Sequence, residues 1–105
     1  KTMKLVAVTA CPSGVAHTYL AAESLEVAAK KNNVEIHVET QGSIGIEDEL
    51  SMDQIQSADA VILTNNIGIK NEERFKGKPV VRVSAGDCIN KGEAIVKKLQ
   101  QKLAK

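Results

Sequence analysis

Four short runs dominated by β-branched and other apolar residues, "KLVAVT" (4–9), "VEIHVET" (34–40), "DAVILTN" (59–65) and "PVVRVS" (79–84), are separated by segments that carry helical periodicity. Strands that alternate with helices form a parallel sheet joined by right-handed crossovers. The first and third runs are continuously apolar, as strands buried on both faces are. The second alternates Val34, Ile36 and Val38 with Glu35, His37 and Glu39, which predicts a half-buried edge strand. Between the first two runs, Gly14 to about Asn33 reads as a helix with Ala21, Ala22, Leu25, Ala28 and Ala29 on its apolar stripe and Glu23, Glu26 and Lys30 opposite. A short helix in "DELSMDQIQSA" is capped by Ser51 and covers Asp53 to Ser57, and "KNEERF" (70–75) makes a brief helical turn. From about Asp87 to Ala104 a last helix turns Ile95, Leu99 and Leu103 inward and Lys97, Lys98 and Lys102 outward. The expected fold is a single α/β domain over residues 1–105: a four-stranded parallel sheet, order 2-1-3-4, flanked by helices.

Composition narrows what such a domain can do. A formal charge of +1, with both signs spread along the chain, gives no reason to expect nucleic acid or an anionic membrane as a partner. Tyr19 and Phe75 are the whole aromatic complement, too few for a base-stacking platform. No stretch approaches the roughly 20 apolar residues that span a bilayer, and "KTMKLVAVTA" is too short for a secretory signal, so a cytoplasmic location without membrane insertion is expected. Cys11 and Cys88 need not pair in a cytosolic chain with an apolar core, and neither lies in a Cys/His cluster at metal-ligand spacing. No metal or cofactor is expected.

In a Rossmann-like sheet, ligands bind beyond the carboxyl ends of the strands, where strand order reverses. That rule selects the residues after Thr9, Thr40, Thr64 and Ser84, and Cys11 is the most reactive group among them. A thiol at a helix N-terminus faces unpaired backbone N–H groups and the positive end of the macrodipole. Lowering a cysteine pKa from about 8.5 by two units takes about 2.7 kcal/mol. The dipole supplies up to about 2 kcal/mol and a charge-assisted N–H bond about 1.5–3, so no lysine is needed in the loop. Pro12 has no N–H, but Ser13, Gly14, Val15, Ala16, His17 and Thr18 do, Gly14 lets the backbone curl, and Ser13 and Thr18 add hydroxyls: a cysteine phosphate-binding loop after strand 1.

This loop resembles that of cysteine phosphatases, except that the position of their loop arginine, six residues after the nucleophile, is His17 here. With no cation or acid to drive hydrolysis, it suits a carrier that holds its phosphocysteine until an acceptor arrives. His17 either helps hold the phosphorylated state or serves packing and capping. Thr40, Gln41 and Ser43 either line the edge of the site or form the turn. Arg74 and Lys76 either dock a partner or are simply solvated. His37 reads as a solvated residue, and Cys88 as structural, since Asp87 beside it disfavours thiolate.

"CPSGVAHTYLAAESL", with "VETQGSIGIEDEL" and "ERFKGKPVV", closely resembles the fructose-type enzyme IIB domains of the bacterial phosphoenolpyruvate-dependent sugar phosphotransferase system. The resemblance covers almost the whole chain. It implies a cytoplasmic domain, peripheral to the inner membrane, whose Cys11 accepts a phosphoryl group from phosphohistidine on a IIA partner and passes it to a sugar held by the IIC permease. The competing readings are a cysteine-loop phosphatase or thiol reductase, and a non-catalytic module that senses an anion at the helix terminus.

Overall fold

The computed structural model describes residues 3–10, 15–42, 45–64, 69 and 72–103. Strand β1 (Lys4–Ala10) lies at the centre of the sheet, with Leu5, Val6, Ala7 and Val8 essentially without exposure. It pairs in parallel with β2 (Glu35–Gly42) on one side and β4 (Ala60–Thr64) on the other, and β4 pairs in parallel with β5 (Val80–Val83). A short β3 (Gly45–Glu47) runs antiparallel along β2, with Thr40 opposite Glu47 and Gly42 opposite Gly45. The sheet is therefore five-stranded and mixed, in the order β3-β2-β1-β4-β5.

This corrects the expected four-stranded, all-parallel sheet: the four expected strands stand as β2-β1-β4-β5, and an unexpected fifth strand, β3, adds an antiparallel edge beyond β2. Gly45, at φ +111°, takes a backbone conformation open chiefly to glycine and starts the return of the chain against β2. "GIE" is too short to carry a period of its own, which is why the sequence pattern does not announce it.

The two faces are filled separately. Helix α1 (Val15–Lys31) and helix α3 (Ala85–Leu103) cover one face, where Leu5, Ala7 and Ile62 meet Ala21, Leu25, Ala29, Cys88, Val96 and Leu99. Helix α2 (Met52–Ser57) and a 3₁₀ turn (Glu72–Phe75) cover the other, where Val6, Val8, Ala10, Val61 and Leu63 meet Leu50, Ile55 and Phe75. The alanine-rich stripe of α1 is buried as its spacing predicts, and small side chains there bring α1 close to α3. A Cβ added to Gly92 would stand 3.2 Å from the Ser24 carbonyl oxygen, tighter than ordinary contact, so a side chain there would require α1 and α3 to give by a few tenths of an ångström. Just before it, Lys91 departs from helical geometry and bends α3.

Local signals fix most element ends. Ser51 and Gln54 form a reciprocal capping box at α2. Helix α1 stops where Asn33 turns left-handed at φ 56° and Val34 N–H returns to the Ala29 carbonyl at 2.8 Å. Helix α3 starts at Ala85, two residues before the expected Asp87, because Ser84 Oγ accepts from Asp87 N–H at 3.0 Å.

Candidate active site at the carboxyl ends of the strands

Parallel pairing between β1 and β4 stops at Val8 and Leu63, yet the last residue of β1 is held by side-chain hydrogen bonds. The buried Thr64 hydroxyl accepts from Ala10 N–H at 2.9 Å and donates to the Ala10 carbonyl at 3.0 Å. The equally buried Thr9 hydroxyl donates to the Thr18 carbonyl in the first turn of α1, at 3.2 Å. The chain is thus fastened on both sides of residues 11–14: Ala10 to β4, and the start of α1 to β1. Buried polar groups gain most when every partner is supplied, and these two threonines supply theirs where the strand passes into the loop.

Cys11, Pro12, Ser13 and Gly14 lie outside the described residues, as does Ser43. Val15, Ala16 and His17 form the backbone of the first turn of α1, and their side chains are likewise outside. Thr18 is buried at that turn. The first turn of α1 holds no acidic residue to compete with an anion for the helix terminus. On its outer side the Tyr19 hydroxyl donates to Glu47 of β3, tying α1 to the added strand.

Thr40 and Gln41 are both buried at the end of β2, and Gln41 stands in register with Ala10. Gln41 Nε2 donates at 2.8 Å to Glu39, which the alternating pattern of this strand assigns to the solvent side. Glu39 is instead 0 % exposed. Its carboxylate accepts from Leu50 N–H at 2.9 Å and from Arg74 Nη2 at 2.6 Å, while the Arg74 guanidinium also packs over the Phe75 ring at 4.7 Å. Burial alone pushes the Glu39 carboxyl up, but the hydrogen bonds from Arg74, Leu50 and Gln41 and the Arg74 charge outweigh it and hold the group below its ordinary value.

Arg74, expected on an exposed turn, keeps only 11 % of its side chain accessible and serves the interior rather than a docking surface. Lys76 is exposed. The motifs "VETQG" and "ERF" thus meet in space through one ion pair. No local pattern in the sequence marks this pair, because its partners lie 35 residues apart.

The remaining residues fall where their chemistry suggests. Cys88 is fully buried, and burial, with Asp87 beside it, pushes its thiol up to about 11. His37 is about half exposed, with Nε2 3.3 Å from Glu35. Among the described residues no three His, Cys, Asp or Glu side chains gather as metal ligands, and no helix is long and apolar enough to cross a membrane.

A doubly wound sheet that fastens both sides of a cysteine-bearing strand–helix junction defines a class of small domain built around that junction. Residues 6–98 match the family described as PTS system, Lactose/Cellobiose specific IIB subunit. The PTS system fructose-like EIIB component 2 of Escherichia coli K12 is 59 % identical over 101 residues, covering 96 % of this chain and 95 % of the relative. A crystal structure of a domain from the fructose-specific IIABC component of Borrelia burgdorferi superposes with a TM-score of 0.88 at 53 % identity, covering 93 % of each chain. The PTS system 2-O-alpha-mannosyl-D-glycerate-specific EIIABC component of Escherichia coli K12 is 48 % identical over 92 residues, covering 88 % of this chain and 14 % of the relative. The chain belongs to the PTS IIB family, as a fructose-type IIB domain.

Proposed function

We propose that this domain is a phosphocarrier for a fructose or fructose-like sugar, with Cys11 as the group that carries the phosphoryl moiety. The thiolate attacks phosphorus of a phosphohistidine on IIA: the S–P bond forms, the P–N bond breaks, and the histidine leaves as imidazole. In the second transfer a sugar hydroxyl oxygen attacks the phosphocysteine. The O–P bond forms, the S–P bond breaks, thiolate returns to Cys11, and the hydroxyl proton passes to a base on the IIC side. Backbone amides from Ser13 to Thr18 stabilise the equatorial oxygens, and docking of the two partners supplies the alignment that a metal would otherwise provide. His17 gains a proton when the dianion is bound and helps retain it. The domain works in the cytoplasm, against a membrane-embedded IIC.

The observation that most supports this reading is the pair of threonine anchors, Thr64 on Ala10 and Thr9 on the Thr18 carbonyl, which brace both sides of residues 11–14 in a chain of the IIB family. A relative in which A, B and C components form one chain supports partners of the same system.

The test is to incubate the domain with phosphoenolpyruvate, the general phosphotransfer proteins and a fructose-type IIA, and to look for phosphate on Cys11 by peptide mass spectrometry. Wild type should gain one phosphate, and Cys11→Ser none. An unmodified Cys11 beside fully phosphorylated IIA would reject the carrier mechanism. Steady phosphate release from an aryl phosphate would favour a phosphatase instead.

A further inference from the structure

The Glu39–Arg74 pair has no part in the chemistry above, and stability alone does not account for it. Taking both charges out of water costs much of what their attraction returns, and apolar residues of similar volume commonly do as well or better. Arg74 Nε is moreover buried with no hydrogen-bond partner among the described residues, which a device selected for stability alone would avoid. The location of the pair is more telling. Glu39 stands in register with Val8, and Gln41, hydrogen-bonded to it, stands in register with Ala10, the residue before Cys11. The same carboxylate takes the Leu50 amide, at the end of the connection from β3. Arg74 lies in the 3₁₀ turn of the connection that leaves β4 after Thr64, whose hydroxyl clamps Ala10 from the opposite side. One ion pair therefore locks the two connections that border the end of β1.

We propose that Glu39 and Arg74 are positioning residues for Cys11: by fixing the end of β2 and the β4–β5 connection beside Ala10, they hold the strand end from which Cys11 follows. This rests on the carrier reading for its consequence in phosphoryl transfer, but not for its effect on the thiol. When the pair is lost the end of β1 is held less firmly beside β2, and the Cys11 thiolate loses stabilisation.

The experiment compares the full chain with Glu39→Met/Arg74→Met, which removes one charge of each sign and leaves the net charge unchanged. Iodoacetamide alkylation is followed against pH by peptide mass spectrometry, reading Cys11 and the buried Cys88 in the same digest. Cys11 should titrate at higher pH in the variant, a midpoint one pH unit higher leaving about tenfold less thiolate at neutral pH, while Cys88 stays protected. The kcat for phosphoryl acceptance should fall with it, and the KM for IIA should not. A folded variant with the wild-type Cys11 midpoint overturns the proposal, and so does a raised midpoint accompanied by loss of Cys88 protection, which would mark general loosening. Should the double variant not fold, Gln41→Met, which spares the ion pair and cuts its link to the strand end, is judged by the same midpoint. If wild type itself forms no phosphocysteine, the carrier reading fails and the alkylation comparison still decides this one.

Discussion

On the face covered by α1 and α3, the end of β1 is secured by two neutral hydroxyls, Thr9 on the Thr18 carbonyl and Thr64 on both backbone groups of Ala10. On the face covered by α2 and the 3₁₀ turn, the neighbouring strand end is secured by a carboxylate and a guanidinium withdrawn from water. Neutral hydroxyls cost little to bury once hydrogen-bonded, and each of these two fastens a single residue. An ion pair is costly to bury, but its planar fork and two acceptor oxygens hold several segments at once. The apolar face of this domain is therefore organised by packing, and the face with the ion pair by a polar junction whose failure is felt in several elements together.

The largest effect that would test this contrast is Glu39→Leu alone. It leaves Arg74 buried without its counter-charge and should destabilise by about 3–5 kcal/mol in urea unfolding, with the Glu39→Met/Arg74→Met double variant regaining most of that. The pH dependence carries the same signature. Glu39 has a folded pKa below its ordinary 4.5, so its contribution is full above that value and disappears as pH falls through the lower, folded one. Acid unfolding of wild type should be correspondingly steep below pH 4.5, and shallower in the double variant. A single variant as stable as wild type would mean that the two faces differ in composition only.

Next in size is Thr64→Val, which keeps the shape and deletes the hydroxyl that satisfies Ala10. Two buried backbone groups lose a partner, at a cost of about 1–3 kcal/mol. Because the lost bonds sit one residue before Cys11, phosphoryl acceptance should slow further than the stability loss explains. Thermal melts and transfer rates measured on the same preparation separate the two effects.

What the sequence discloses follows the range of the forces involved. Continuous apolar runs identify β1 and β4 as central strands, the alanine stripe identifies the buried side of α1, and Ser51 with Gln54 marks the start of α2, because each signal lies within a few residues of its effect. Glu39 and Arg74 are 35 residues apart and become partners only through the crossover that brings the 3₁₀ turn under β2. Strand alternation therefore turns Glu39 to solvent, and exposure statistics do the same for Arg74. The β3 strand fails for a different reason: three residues opposite a glycine turn contain no period, and their pairing is decided by Gly45 and the open edge of β2. For the site, strand ends and a helix-terminal cysteine are local signals and the expected order already puts β4 beside β1, whereas the partners that the Thr9 and Thr64 hydroxyls take are decided by side-chain geometry that no local pattern carries.

The smallest effect comes from the apolar face and has the opposite pH sense. Cys88 is buried among Ala85, Val96 and Leu99, and its thiol is pushed up to about 11, first by burial and then by Asp87. A raised folded pKa means that the folded state holds the proton more tightly than the unfolded chain. The contribution of Cys88 is therefore complete below its ordinary value of 9.0 and fades as pH rises toward about 11. Cys88→Ala should cost about 1 kcal/mol at neutral pH, the scale of losing one small apolar group from a packed core. It should also flatten the decline in melting temperature between pH 9 and 11, while leaving the acid limb set by Glu39 untouched. If the alkaline decline persisted unchanged in Cys88→Ala, that face would owe its pH response to surface charges, and the division between a face that responds to acid and one that responds to base would be lost.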